Sequence, residues 1–209
     1  NGSLIAGTQI FVYGGNEDDQ VIIDGNGGAL NDGGTVDGVQ SLFSFLGGTG
    51  IDELIVDDSG DVTGDTIDIV STLPGSGTVG GATAVALGFQ DLENLTVFTG
   101  TDADDITVSP NALTAIDIVG GDPTVFPGDS LTYLTPPGES STFTPDGLDG
   151  GTISATGGYQ DVTFDEIEGL TFGGSIVVDG TAGDDTLTIT ALTANSGTYQ
   201  INGGPVINF

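Results

Sequence analysis

Along this chain, apolar residues return at every second position over short runs, the period of a strand with one face buried. The runs are Gln9-Ile10-Phe11-Val12-Tyr13, Ser41-Leu42-Phe43-Ser44-Phe45, Asn94-Leu95-Thr96-Val97-Phe98, Ile116-Asp117-Ile118-Val119 and Glu168-Gly169-Leu170-Thr171-Phe172. Each is followed by a glycine turn, at Gly14-Gly15, Gly47-Gly48, Thr99-Gly100, Gly120-Gly121 and Gly173-Gly174. Aspartate and a second short apolar run come next: Asp18-Asp19 before Val21-Ile22-Ile23, Asp52 before Leu54-Ile55-Val56, Asp104-Asp105 before Ile106-Thr107-Val108, Asp129 before Leu131-Thr132-Tyr133, and Asp184-Asp185 before Leu187-Thr188-Ile189. A unit of strand, glycine turn, acidic turn and strand predicts stacked or coiled β architecture.

A longer period overlies this unit. Gly64-Asp65-Thr66-Ile67-Asp68-Ile69, Gly128-Asp129-Ser130-Leu131-Thr132-Tyr133 and Asp184-Asp185-Thr186-Leu187-Thr188-Ile189 each open a large repeat. The first two run through a Gly-Thr strand to Phe89-Gln90-Asp91 or Tyr159-Gln160-Asp161. The reading is therefore all-β, a β-solenoid or serial small β-sandwiches built from three imperfect repeats. Its parts are an N-terminal segment 1–63, repeats 64–127 and 128–183, and a partial repeat 184–209. Joining Phe209 to Asn1 completes the third repeat through Ile10, Phe11 and Val12. Val206, Ile207 and Phe209 at one end, with Ile10, Phe11 and Val12 at the other, are thus the candidate assembly interface, by strand addition between neighbours.

Composition narrows the function. The 209 residues include 38 Gly and 8 Pro, which suit tight turns and not helices. A 36% hydrophobic content is enough for a folded core despite the charge. There is no Lys, Arg, His, Cys, Met or Trp, and 31 Asp and Glu give a net charge of −31. Such a surface repels nucleic acid and anionic lipid, whose binding rests on basic side chains. No run approaches the roughly 20 apolar residues of a membrane span, so membrane insertion is not expected. With neither an initiator Met nor a signal peptide, the expectation is a processed chain or one unit of a longer polypeptide. The acidic, lysine-free surface suits an extracellular or cell-surface setting. Without Lys and Arg the chain offers trypsin-like proteases no site, and without Cys and Met it offers oxidants little to attack.

Catalysis is correspondingly restricted. With no His, Cys or Lys, the usual nucleophile and base pairs are excluded and only carboxylate chemistry is left. A polysaccharide-cutting site would need two carboxyls across a sugar cleft, and the charge repels acidic glycans. The expectation is that the chain is not an enzyme.

Self-repulsion at this charge is relieved by cations, which brings in calcium, a metal held by six to eight oxygens in flexible loops. The candidate ligands are Asp52, Asp18, Asp19, Asp57, Asp58, Asp61, Asp104, Asp105, Asp184 and Asp185, with Asp65 close to the 57–61 group. The competing role for each is structural, an aspartate bonded to nearby backbone in a turn. Asn94-Leu95-Thr96 and Asn1-Gly2-Ser3 fit the N-glycosylation sequon.

Gly47-Gly48-Thr49-Gly50-Ile51-Asp52-Glu53-Leu54-Ile55 resembles the haemolysin-type calcium repeat G-G-x-G-x-D-x-U-x in every fixed position. That resemblance implies a calcium site made by Asp52 with the carbonyls around Gly48 and Gly50. The family stacks such nonapeptides in tandem, whereas here one full match stands among partial ones. The Gly14–Asp19 segment lacks the third glycine, and Asp179–Asp185 lacks the adjoining pair. The wider pattern is similar to the Gly- and Asp-rich β repeats of large secreted bacterial proteins, including those of planctomycetes. The expected function is that of a structural subunit, or one repeat of a longer chain, in an extracellular filament or surface layer. The alternative is a calcium-dependent adhesin or binding module.

Overall fold

The computed structural model describes residues 9–27, 30–123, 128–174, 176–193 and 196–208. The expected all-β class holds: the described residues form nineteen strands and no helix, in one sheet of eleven strands and one of eight. Each alternating run is a strand: β1 (Gln9–Gly15), β3 (Leu42–Gly48), β8 (Asn94–Phe98), β10 (Ala115–Val119) and β15 (Gly169–Phe172). The runs after the acidic turns are β2 (Gln20–Asp24), β4 (Glu53–Asp57), β9 (Asp105–Val108), β11 (Ser130–Tyr133) and β17 (Leu187–Thr193).

The remaining strands are β5 (Thr66–Leu73), β6 (Ser76–Gly80), β7 (Leu87–Gln90), β12 (Ser141–Pro145), β13 (Gly151–Ala155), β14 (Val162–Asp165), β16 (Ile176–Val178), β18 (Ser196–Ile201) and β19 (Val206–Asn208). The eleven-stranded sheet runs β1-β3-β7-β6-β5-β9-β11-β15-β19-β18-β17, and the eight-stranded sheet β16-β12-β13-β14-β10-β8-β4-β2. The chain crosses between the sheets at each acidic or glycine turn, and successive passages lie parallel, as in β1 on β3 and β4 on β8.

Three antiparallel meanders interrupt this winding: β5-β6-β7, β12-β13-β14 and β17-β18-β19. In each, the chain first lands beyond the growing edge and then works back to it. The first meander adds two extra strands to the eleven-stranded sheet, and the second adds two to the eight-stranded sheet, which brings the sheets level again. The third falls in the eleven-stranded sheet and has no counterpart. Segment 64–127 therefore opens on a meander, whereas 128–183 opens on the lone β11 and carries its meander across in the other sheet.

Inward positions from both sheets form a single core. It includes Phe45, Leu54, Val56, Ile67, Ile69, Leu95, Val97, Ile106, Ile118, Leu131, Phe143, Leu170 and Ile207. Phe143 of one sheet packs on Phe172 of the other with ring centroids 6.4 Å apart, so the two inner faces meet there.

The paired glycines have separate causes. A Cβ on Gly47 would lie 2.2 Å from the Asp91 carbonyl of the adjoining passage, and one on Gly120 would lie 2.0 Å from that of Glu166. Their followers, Gly48 and Gly121, adopt φ of 108° and 99°, where a side chain is strained. The first glycine permits close approach of neighbouring passages, and the second turns the corner.

One expectation about the ends changes. Val206 and Ile207 lie on β19, which pairs with β15 and β18, and Ile207 is 1% exposed. The edge strand is β17, because the last meander places its first strand outermost. At the opposite end, β1 is an edge, with Phe11 exposed and Ile10 and Val12 half-buried. Asn1 and Phe209 lie outside the described residues.

Candidate metal centre and carboxylate ladders

The residue immediately before a strand is repeatedly acidic, and its carboxylate reaches the backbone of the preceding passage. Alongside the eight-stranded sheet, Asp52 Oδ1 accepts the Asp19 N–H at 2.9 Å, and Glu93 Oε2 accepts the Asp52 N–H at 2.9 Å. Alongside the eleven-stranded sheet, Asp104 Oδ1 accepts from Asp65 at 2.6 Å, Asp129 Oδ1 from Asp104 at 2.7 Å, and Glu168 Oε2 from Asp129 at 2.8 Å. Each rung joins residues 25 to 41 positions apart in sequence. A charge-assisted bond to a backbone N–H is stronger than a neutral one, and a carboxylate can fill an acceptor position that the sheet ladder leaves vacant at its margin.

Burial of these carboxylates has a cost. Asp52 and Asp129 are fully buried, and Asp104 and Glu168 nearly so. The Asp52 Oδ2, Asp129 Oδ2 and Glu168 Oε1 atoms have no hydrogen-bond partner. Desolvation pushes Asp129 up to about 7, opposed by the N–H of Asp104 and reinforced by the charges of Asp104, Glu168 and Glu166. Glu168 is raised by the same cause.

A second acidic group lies where β4 leaves the eight-stranded sheet. Asp57 Oδ2 takes the Asn31 N–H at 2.7 Å and its Oδ1 takes the Ser59 hydroxyl at 2.6 Å, closing the turn. Asp58 Oδ1 accepts from Val36 N–H at 2.8 Å, and Asp61 caps Val62 and Thr63. Oxygens from Asp58, Asp61 and Asp65 all lie within 4.8 Å of one another, the one such group of three among the described residues. Asp58 and Asp61 are buried and Asp65 is half-buried. Burial pushes Asp58 up to about 7, with Asp61, Asp37 and Asp65 adding repulsion. Asp65 is raised by burial and then by Asp61, Asp104 and Asp37. Three carboxylates this close, with no basic residue in the chain, favour protons or a hard cation. Their all-oxygen donor set is what calcium takes.

Of the ten expected metal ligands, Asp58 and Asp61 come together, and Asp65 is the third. Asp52 and Asp104 serve as ladder acceptors, and Asp19 is a ladder donor through its backbone. Asp18 Oδ1 accepts the Ile51 N–H at 2.8 Å, which pins the Gly50 turn to the passage before it. Asp105 Oδ1 takes the Ser130 hydroxyl at 2.6 Å on the surface. Asp184 and Asp185 are exposed. Asp185 is held below the usual carboxylate range by Thr181 and Asn202, whose side chains donate to it. Asn94, the candidate glycan acceptor, is half-buried on β8 between β4 and β10.

Sequence reasoning passed over Asn111. Its Oδ1 accepts from Gly75, Leu113 and Thr114, and its Nδ2 donates to the carbonyls of Leu73 and Ser76. One buried amide thereby fixes the β5–β6 hairpin to the loop before β10. A lone Asn after Pro110 carries no periodic signal that would have marked it. Compared with known proteins, the chain matches no family model, no curated protein and no solved structure.

Proposed function

We propose that this chain is a structural module of an extracellular filament or surface layer, a solenoid interrupted by meanders that associates end to end through its sheet edges. The observation that carries the reading is the state of β17. Leu187 and Ile189 stand where Ile67 and Ile69 stand on β5, in the shared pattern Asp-Thr-x-x-Ile. Ile67 and Ile69 are 0% and 1% exposed, whereas Leu187 and Ile189 are 57% and 62% exposed. Residues of core type on an edge strand with unpaired backbone groups form a surface suited to strand addition. The ladders fit the same role, because they tie each passage to the next without a basic residue or a disulfide.

A second reading, a calcium-dependent adhesin or binding module, is favoured by the Asp58, Asp61 and Asp65 group. The two separate by electron microscopy and light scattering of the untagged chain with and without calcium. Filaments with a regular axial repeat support the structural reading. A monodisperse particle that folds or tightens with calcium supports the module and sinks the filament.

A further inference from the structure

The two ends of the molecule are complementary only if one copy is turned relative to the next, and this inference rests on the end-to-end reading above. The internal junction from β4 and β5 to β8 and β9 provides the template. There, β8 adds in parallel to β4, with Leu54 opposite Leu95 and Val56 opposite Val97. Likewise β9 adds to β5, with Ile67 opposite Ile106 and Ile69 opposite Val108.

Both halves of this junction recur at the ends. Ile176-Val177-Val178 on β16 and the following Asp179 repeat Leu54-Ile55-Val56-Asp57, and Asp185-Thr186-Leu187-Thr188-Ile189 repeats Asp65-Thr66-Ile67-Asp68-Ile69. At the other end, residues 9–23 align without a gap on residues 94–108. Ile10 falls on Leu95, Val12 on Val97, Gly15 on Gly100, Asp19 on Asp104, Val21 on Ile106 and Ile23 on Val108. So β16 and β17 correspond to β4 and β5, and β1 and β2 correspond to β8 and β9. The inward residues that this junction would bury, Ile176, Val178, Ile10, Val12, Val21 and Ile23, are all half-buried in the single molecule.

The sheets, however, are exchanged. β16 ends the eight-stranded sheet while β1 begins the eleven-stranded one, and β17 ends the eleven-stranded sheet while β2 begins the eight-stranded one. We infer that successive copies of this chain dock with a half turn about the stacking axis, so that the eleven-stranded sheet of each continues into the eight-stranded sheet of the next. The unpaired third meander is the cause, since an odd number of meanders leaves the final offset in one sheet. Stacked without the turn, every junction would leave the shorter sheet three strands behind, a gap of about 14 Å at the usual strand spacing. With the turn, two copies place all nineteen strands of a unit's complement in each continuous sheet, and the edges close. An isologous two-fold contact would join like ends and could not pair β16 with β1.

The chain has no cysteine, so single introduced thiols report neighbours unambiguously. Thr188→Cys, Val177→Cys, Phe11→Cys and Ile22→Cys are made separately, mixed in pairs under assembling conditions with calcium and treated with a short bismaleimide. The half turn predicts heterodimers from Thr188→Cys with Ile22→Cys and from Val177→Cys with Phe11→Cys, each at least tenfold over the reverse combinations. Assembly with Thr188→Cys joined to Phe11→Cys and Val177→Cys joined to Ile22→Cys overturns the half turn while leaving end-to-end association standing. No heterodimer in any pairing, with monodisperse protein by light scattering, overturns both.

Discussion

The side-chain Oδ1 of Asn111 accepts the backbone N–H of Gly75 at 2.7 Å, across 36 residues of sequence and inside the protein. Because the same amide also accepts from Leu113 and Thr114 and donates to two carbonyls, its removal leaves several buried backbone groups unpaired. Each such group costs about 1–3 kcal/mol, and partial relaxation reduces the sum. Asn111→Ala is expected to lose about 2–4 kcal/mol in urea unfolding. Asn111→Asp, which keeps the acceptor and loses both donated bonds, should not restore it.

Stability should fall as pH rises from 5 to 8 without divalent cations. Asp58 and Asp129 each have a folded pKa raised from 3.8 to about 7. The folded state therefore binds more protons than the unfolded chain between those values. The stability this contributes is complete below about pH 4 and is lost as pH rises through 7. Asp65, Glu166 and Glu168, each raised by burial, act in the same direction. Thermal unfolding should show a midpoint higher at pH 5 than at pH 8 by at least about 5 °C. A flat or inverted profile contradicts the burial of these charges.

Asp129→Asn isolates one of them. The amide oxygen still accepts from Asp104, and the unpartnered Oδ2 becomes a neutral NH2. At pH 8 the variant should be at least as stable as the parent, with a shallower pH profile, whereas Asp129→Ala should lose about 1–3 kcal/mol by orphaning the Asp104 N–H. Chemical denaturation at pH 5 and pH 8 separates the two.

Millimolar calcium at pH 7.5 should raise the unfolding midpoint. The site is tested with Asp65→Asn, because the Asp65 carboxylate accepts no ladder bond and the change leaves Asp65 N–H to Asp104 in place. The variant should keep its stability in chelator and lose most of the calcium increment. An unchanged increment would move the metal elsewhere.

Leu187→Asp combined with Ile189→Asp should abolish end-to-end assembly without unfolding the monomer. Both side chains are already exposed, so the monomer should change by no more than about 0.5 kcal/mol. Sedimentation and circular dichroism read the two effects independently.

The strands that alternate and end in glycine were legible from sequence because two physical demands coincide there, a period of two and a corner that tolerates no Cβ. The meander strands were harder to read. Ser76–Gly80 and Gly151–Ala155 each bury one glycine and one larger apolar residue, Gly77 with Val79 and Gly151 with Ile153, so their periodic signal is faint. The acidic positions were visible, but their roles were not. Asp52 holds the aspartate position of the calcium-repeat match, and that position also places its carboxylate against the Asp19 N–H of the passage before it. Asp65 reached the Asp58 group through the start of β5, a contact set by how the chain crosses between sheets.

The meanders also dictate an order of events during folding. When the chain leaves β4, its next strand, β5, belongs two places beyond the edge that β3 offers, and nothing is yet there to receive it. Only after β6 and β7 have folded back does the group meet β3, so the hairpin must form first from its own local contacts and dock as a block. The sheet thus cannot grow one strand at a time from the N-terminal end. It advances by single strands in the plain passages and by preassembled triplets at the meanders. Slow phases in refolding should therefore trace to the hairpin turns at residues 74–75 and 146–150 and not to the glycine corners.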